Sequence, residues 1–204
     1  MTESALALIK KRISATMLDA SAQIDDAKIQ SLVAFATRAP TAYNLQNWRF
    51  IAVRSAEAKA ALRKVAFNQP KVEDSGVTFI IVGVFPDAAV VSDRLSGSVE
   101  AGYMTVDIVQ RWQESVRTKY ADPQTARDET VRSATFGAAT LIFAAEAKGL
   151  ASGAMVGFDP EGVSRAFGLQ SNEIPVMLVA VGRAAEGNWP QKPRRPVEHV
   201  LELR

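Results

Sequence analysis

The sequence holds 204 residues, 48% of them hydrophobic and 23% charged, with no cysteine and a single histidine. That length suits one domain, residues 1–204, with enough apolar material for a core. The composition excludes a disulfide scaffold, a thiolate nucleophile, an iron–sulfur cluster and any Cys-rich or multi-histidine metal site, and a net charge of only +2 excludes a polybasic nucleic-acid surface.

Met1 to Lys10 carries Glu3 and lacks the basic start, apolar run and cleavage site of a signal peptide. No apolar run approaches the roughly 20 residues needed to cross a bilayer, so a soluble cytoplasmic protein is expected. A first helix is predicted over Leu6 to Ser14. A second starts near Asp25, a capping residue, and stops by Pro40. Trp48 to Arg54 is rich in β-formers and reads as the first strand, followed by a helix over Lys59 to Ala66. Val77 to Phe85 is apolar on both alternations and reads as a strand buried on both faces.

A long amphipathic helix is predicted from Val99 to Thr118, a break from Tyr120 to Arg127, and a further helix from Asp128 to Lys148 that ends at Gly149. The last is apolar nearly all round and so should be buried on all sides, its Gly137, Ala138 and Ala139 admitting a neighbouring helix. Ala151 to Met155 and Pro175 to Gly182 read as strands, with a short helix over Val163 to Phe167 between them. The Pro-rich tail from Gly187 ends in Val197-Glu-His-Val-Leu-Glu-Leu203, a strand-like alternation. This order indicates an α+β fold with a central mixed β-sheet flanked by helices. No G-x-G-x-x-G follows a strand, no Walker loop is present, and no G-x-S-x-G turn could present a serine to His199. Chemistry here must rest on a bound organic cofactor.

Four segments carry polar groups that a core does not require: Lys11 to Ser14, Ala39 to Trp48, Asn68 to Lys71 and Trp189 to Pro196. Read alone, Arg12 and Ser14 are equally well solvated surface groups, Lys71 is an exposed loop lysine, and Asn44 can satisfy its own loop. Lys192 and Arg194, held among prolines, favour phosphate binding.

Taken together, these segments resemble the nitroreductase family of flavin-dependent oxidoreductases. Ala39 to Phe50 (APTAYNLQNWRF) is similar to the family's APSxxNxQPWRF, and Arg12 and Ser14 match an R-x-S element. Asn68 with Lys71, Gly149-Leu150 with Gly157-Phe158-Asp159, and Lys192-x-Arg194-x-Pro196 follow in family order. The resemblance implies a nitroreductase-like fold and an intertwined homodimer whose C-terminal strand extends to the partner, with FMN at the subunit interface. It implies NADH or NADPH as electron donor, a small-molecule acceptor such as a nitroaromatic or quinone, and no nucleic-acid or membrane partner. Its ping-pong hydride transfer would run through flavin N5, with no catalytic side chain.

By the same resemblance, Arg12, Ser14, Lys192 and Arg194 would hold the FMN phosphate, with Ile13 and Thr16 in the same segment. Asn68 would meet the pyrimidine edge and Lys71 would tune the flavin. Thr41, Asn44 and Gln46 would reach the ring from the partner, Pro40 and Ala42 shaping the wall, while the backbone of Met155, Val156 and Gly157 would face N5. Three positions depart from the pattern: Thr16 for a basic residue, Val156 for a glutamate and Asn47 for a proline. Specialised relatives that reduce a small aldehyde or remove halogen, and a non-enzymatic flavin sensor or store, are the alternatives.

Overall fold

The protein is described by a computed structural model over residues 4–204; Met1 to Glu3 of the signal-peptide reading lie outside them. Helix α1 (Ala5–Lys11) begins where the Ser4 hydroxyl accepts the Ala7 N–H at 3.2 Å, and α2 (Asp26–Ala36) where Asp25 accepts from Lys28 at 2.7 Å. Strand β1 (Trp48–Val53), α3 (Ala56–Val65), the single turn α4 (Lys71–Asp74) and β2 (Val77–Val84) follow. Beyond them come α5 (Val91–Glu100), α6 (Val106–Lys119), α7 (Pro123–Ala147), β3 (Ala151–Met155), α8 (Pro160–Phe167) and β4 (Glu173–Gly182).

The strands form one four-stranded sheet in the order β1-β2-β4-β3. Every ladder is antiparallel, which corrects the expected mixed sheet. The α3–α4 connection returns β2 against β1, and β4 then enters between β2 and β3, running against both. Only the isolated bridge between Ser14 and Ser152 is parallel among the described residues.

Strand β2 is buried on both faces, as its sequence predicts. Ile80 and Val82, with Leu178 and Ala180 of β4, pack on Leu62, Val72 and Val163. Phe79 and Ile81, with Val179 and Val181, face the other way onto Leu32, Ala134, Ala138 and Leu141 of α2 and α7. Fully burying each of the larger side chains contributes about 1.5–3 kcal/mol. A third cluster around Leu45, Leu95, Val109, Val116 and Tyr120 ties the α5–α6 pair to the loop before β1.

Four further expectations are corrected. The predicted helix from Val99 to Thr118 is two helices, because Gly102 turns left-handed (φ +74°) and Thr105 caps α6. The break after it spans only 120–122, since Asp122 accepts the Thr125 N–H and Pro123 suits the first helical position; α7 therefore runs 25 residues. That helix is buried on one face only: Phe136 is 48% exposed and Phe143 36%. Gly137 makes room for aromatic rings of β1, a β-carbon there meeting Phe50 at 3.1 Å and Trp48 at 3.3 Å. Finally, the C-terminal segment forms no strand in this chain. Val197–His199 is a 3-10 turn and the tail around it is exposed.

Candidate functional site

After α1 the chain runs alongside β3. Ala15 donates to the Ser152 carbonyl at 2.8 Å and Ser14 bridges Ser152. The approach requires glycine at 153, where a β-carbon would lie 2.3 Å from the Ala15 carbonyl oxygen. The tail then folds back over this segment through Asn188. Its carboxamide oxygen accepts from Thr16 N–H at 2.8 Å and Met17 N–H at 3.1 Å, and its amide donates to the carbonyls of Met17 (2.8 Å) and Ala185 (2.9 Å). Gln191 adds a bond to the Arg12 carbonyl at 3.0 Å.

This folding brings the predicted phosphate residues together. Arg12, Ile13, Ser14, Thr16, Lys192 and Arg194 line one cleft of about 90 Å³ with Trp189, Pro190 and Gln191. Three cationic side chains and two hydroxyls face it, and no carboxylate lines it. Arg12 donates to the Ser14 hydroxyl at 3.4 Å, the Lys192 ammonium lies 5.4 Å from the centre of the Trp189 ring, and Arg194 donates to the Lys192 carbonyl at 2.7 Å. Such a donor set fits a phosphate ester.

Lys71 opens α4, which is fixed from α3 by the Arg63–Glu73 ion pair and by Lys59 donating to the carbonyls of Glu73 and Ser75. Its ammonium reaches toward β3, 3.5 Å from where a β-carbon on Gly153 would stand. Among the described residues it has no counter-ion, and burial pushes its pKa below the usual lysine value. A half-buried cation without a partner fits a ligand that carries or gains negative charge.

Asn68 lies on the loop between α3 and α4, at φ +56°, beside Phe67 at φ +51°. That loop meets the β3 exit, where Gln69 donates to the Gly157 carbonyl at 2.7 Å. Met155 is buried in the core, whereas Val156 is 77% exposed and Gly157 is open. Asn68, Lys71 and residues 155–157 thus share one neighbourhood, and Ala15, next to Ser14 of the Arg12 cleft, meets Gly153 on the same side as Lys71.

The 40–46 segment lies elsewhere. It enters β1, whose Trp48 pairs with Gly83, while β3 occupies the opposite edge of the sheet. Within one chain the structure therefore does not bring Pro40, Thr41, Ala42, Asn44 and Gln46 to the cleft. Their polar groups interlock: Thr41 accepts the Gln46 N–H at 3.0 Å, Gln46 donates to Asn44 at 3.3 Å, and Asn44 donates to the Arg94 carbonyl at 3.0 Å. Tyr43, Asn44 and Gln46 are left-handed. With Phe67 and Asn68 they are the non-glycine residues of positive φ among those described, and such strain gathers at ligand sites. Asn47 instead turns inward to the Val84 carbonyl at 3.0 Å, securing the start of β1.

Sequence reasoning missed Asn188, Gln69 and Gly153. A glycine in mid-strand was a readable sign of close backbone approach. Gln69 lies in the polar 68–71 segment, but neither amide signals its partner, which lies far away in the chain.

A model of the Nitroreductase family matches residues 9–183. YodC of Bacillus subtilis (strain 168), an NAD(P)H nitroreductase by name, is 33% identical over 181 residues, covering 89% of this chain and 90% of YodC. A Thermus thermophilus protein named NADH dehydrogenase is 33% identical over 179 residues, covering 87% and 85%. The fold is similar to that of an Exiguobacterium sibiricum protein solved in complex with FMN, with a TM-score of 0.88, 26% identity and complete coverage of both chains (100% and 100%).

Proposed function

The chain belongs to the nitroreductase family, and from that premise we propose that it is an FMN-dependent NAD(P)H oxidoreductase, one domain over residues 1–204, working in the cytoplasm. One observation carries the cofactor assignment: Arg12, Ser14, Lys192 and Arg194 converge on a cleft without a carboxylate, next to the uncompensated Lys71. Arg12, Ser14, Lys192 and Arg194 would bind the FMN phosphate, with Ile13 and Thr16 as wall. Asn68, able both to donate and to accept, would meet the pyrimidine edge. The positive charge of Lys71 would favour the more negatively charged reduced ring and raise its potential. When bound, FMN would supply two-electron chemistry between NADH or NADPH and, in ping-pong alternation, an acceptor such as a nitroaromatic or quinone. Exposed Val156 and Phe67 would offer that acceptor an apolar rim, and the backbone of Met155 to Gly157 would face flavin N5.

We further propose a homodimer in which residues 40–46 of a second copy complete each site. Strand β3 pairs with β4 only from Leu178 onward, leaving residues 173–177 with an open edge on that side. Beside it runs a groove of about 630 Å³ lined by Arg127, Arg165, Ile174 and Val176. The tail offers what such a groove takes: exposed Val197, Val200, Leu201 and Leu203, with Glu198 and Glu202 for the arginines. The exposed Phe136 and Phe143 of α7 add apolar area for the same contact.

Purified protein mixed anaerobically with NADH and with NADPH tests the function. Yellow protein that bleaches supports the reductase. Yellow protein that neither donor reduces favours a flavin sensor or store, and colourless protein that takes up no FMN overturns the reading. Acceptors offered to the reduced protein, small aldehydes and halogenated aromatics included, then separate a general reductase from the specialised ones.

A further inference from the structure

Tyr43 stands at φ 53° and ψ 22°, inside the turn that carries Ala42 and Asn44. This left-handed region costs an L-residue with a bulky side chain, and glycine or asparagine is its usual occupant. Something must hold a tyrosine there. Its ring meets Trp112 of α6 edge-on, with centroids 5.6 Å apart and planes at 80°. It meets Tyr120, just past the end of α6, at 6.5 Å and 88°. The Lys119 ammonium lies 5.9 Å from the Tyr43 ring centre and 5.5 Å from that of Tyr120. Edge-to-face pairs and a cation over the ring are each attractive, and here they act on one side chain. The neighbouring Leu45 is fully buried in the same α5–α6 cluster.

We propose that Tyr43 is a positioning residue: its ring, seated against Trp112 within α6 and Tyr120 where α6 turns into α7, holds residues 41–46 in the left-handed arrangement that presents Thr41, Asn44 and Gln46 to FMN. The inference rests on the FMN reading above. It makes the α6–α7 corner, which shares no residue with the phosphate cleft, a determinant of cofactor retention. Tyr43 itself touches no reacting atom in this scheme.

Apo-protein titrated with FMN, read by quenching of flavin fluorescence and by the position of the bound flavin's absorption band, tests this. Melting of each apo-variant in the absence of FMN is followed alongside. Tyr43→Phe keeps the ring and should bind within about twofold of the parent, whereas Tyr43→Ala should bind about tenfold more weakly with a shifted band. Tyr43→Gly separates ring from backbone, because glycine adopts the left-handed region without strain. It should lose affinity as Tyr43→Ala does. Parental affinity in Tyr43→Gly would mean that backbone conformation alone matters and would overturn the proposal, as would parental affinity in Tyr43→Ala. Should Tyr43→Ala not fold, Trp112→Leu removes the wall while leaving the loop sequence intact; a folded Trp112→Leu protein with unchanged affinity and band also overturns it. Parent protein that binds no FMN removes the functional reading, whereas a parent that binds FMN beside indifferent variants removes this inference alone.

Discussion

Lys71 and Gly153 face each other across the joint between α4 and β3: a β-carbon on the glycine would stand 3.5 Å from the lysine ammonium and 2.3 Å from the Ala15 carbonyl oxygen. The glycine lets the N-terminal segment lie against β3, and the lysine fills the space beside it. Both the cleft and the uncompensated charge depend on this joint.

Replacing Gly153 with Ala should therefore destabilise the protein. The obstructing atom belongs to the backbone, so no rotamer change relieves it, and a loss of about 1–3 kcal/mol is expected. Urea unfolding measures it. A variant as stable as its parent would show that the Ala15–Ser152 contact yields at little cost.

Lys71 contributes in opposite directions to stability and to function. Burial lowers its pKa in the folded chain, so folding disfavours its charged form. The cost is fully present below the folded pKa and fades as pH rises through it to the unfolded lysine value of about 10.4. Apo Lys71→Met should accordingly be more stable than the parent at pH 7, and the gap should close toward pH 10. The same variant should lower the potential of bound FMN and slow its reduction by NAD(P)H. Unchanged potential and rate would return Lys71 to a packing role.

Arg12 is separable from the ring site by the choice of ligand. Arg12→Met should weaken FMN binding by about tenfold, the worth of one charge-assisted contact. It should leave riboflavin, which lacks the phosphate, unchanged. Equal losses for both ligands would move Arg12 away from the phosphate.

The tail is expected to hold two chains together. A chain ending at Arg195 keeps Lys192 and Arg194 but loses the segment from Pro196 onward, with its exposed Val197, Val200 and Leu201. Light scattering should show it dissociating at concentrations where the full chain stays dimeric. A truncated chain as dimeric as the parent would place the interface on α7 alone.

The architecture was legible where local pattern and burial agree. Val77 to Val84 is apolar on both alternations because it lies between two helical layers, and Asp25 marks the start of α2 by its own hydrogen bond. The segments at 12–14, 68–71 and 192–194 stand out by polar groups that a core does not require, and the cofactor roles proposed for them come chiefly from the family pattern they resemble. What escaped depends on distant chain. Asn188 earns its place through Thr16 and Met17, and the buried face of α7 is the one that packs on β2 and β4. Even the break at Gly102 was signalled, but amphipathic spacing on either side of it read as continuous helix.

In the proposed dimer, the breadth of the sheet that parts residues 40–46 from the Arg12 cleft would have a genetic consequence. A lesion at Arg12 and a lesion at Asn44 would spoil different halves of a shared centre. In a mixed dimer of the two variants one centre carries both lesions and the other carries neither. Two alleles, each inactive alone, would then restore about a quarter of the centres when co-expressed and randomly paired. Complementation between alleles thus reports the architecture of the site from inside the cell.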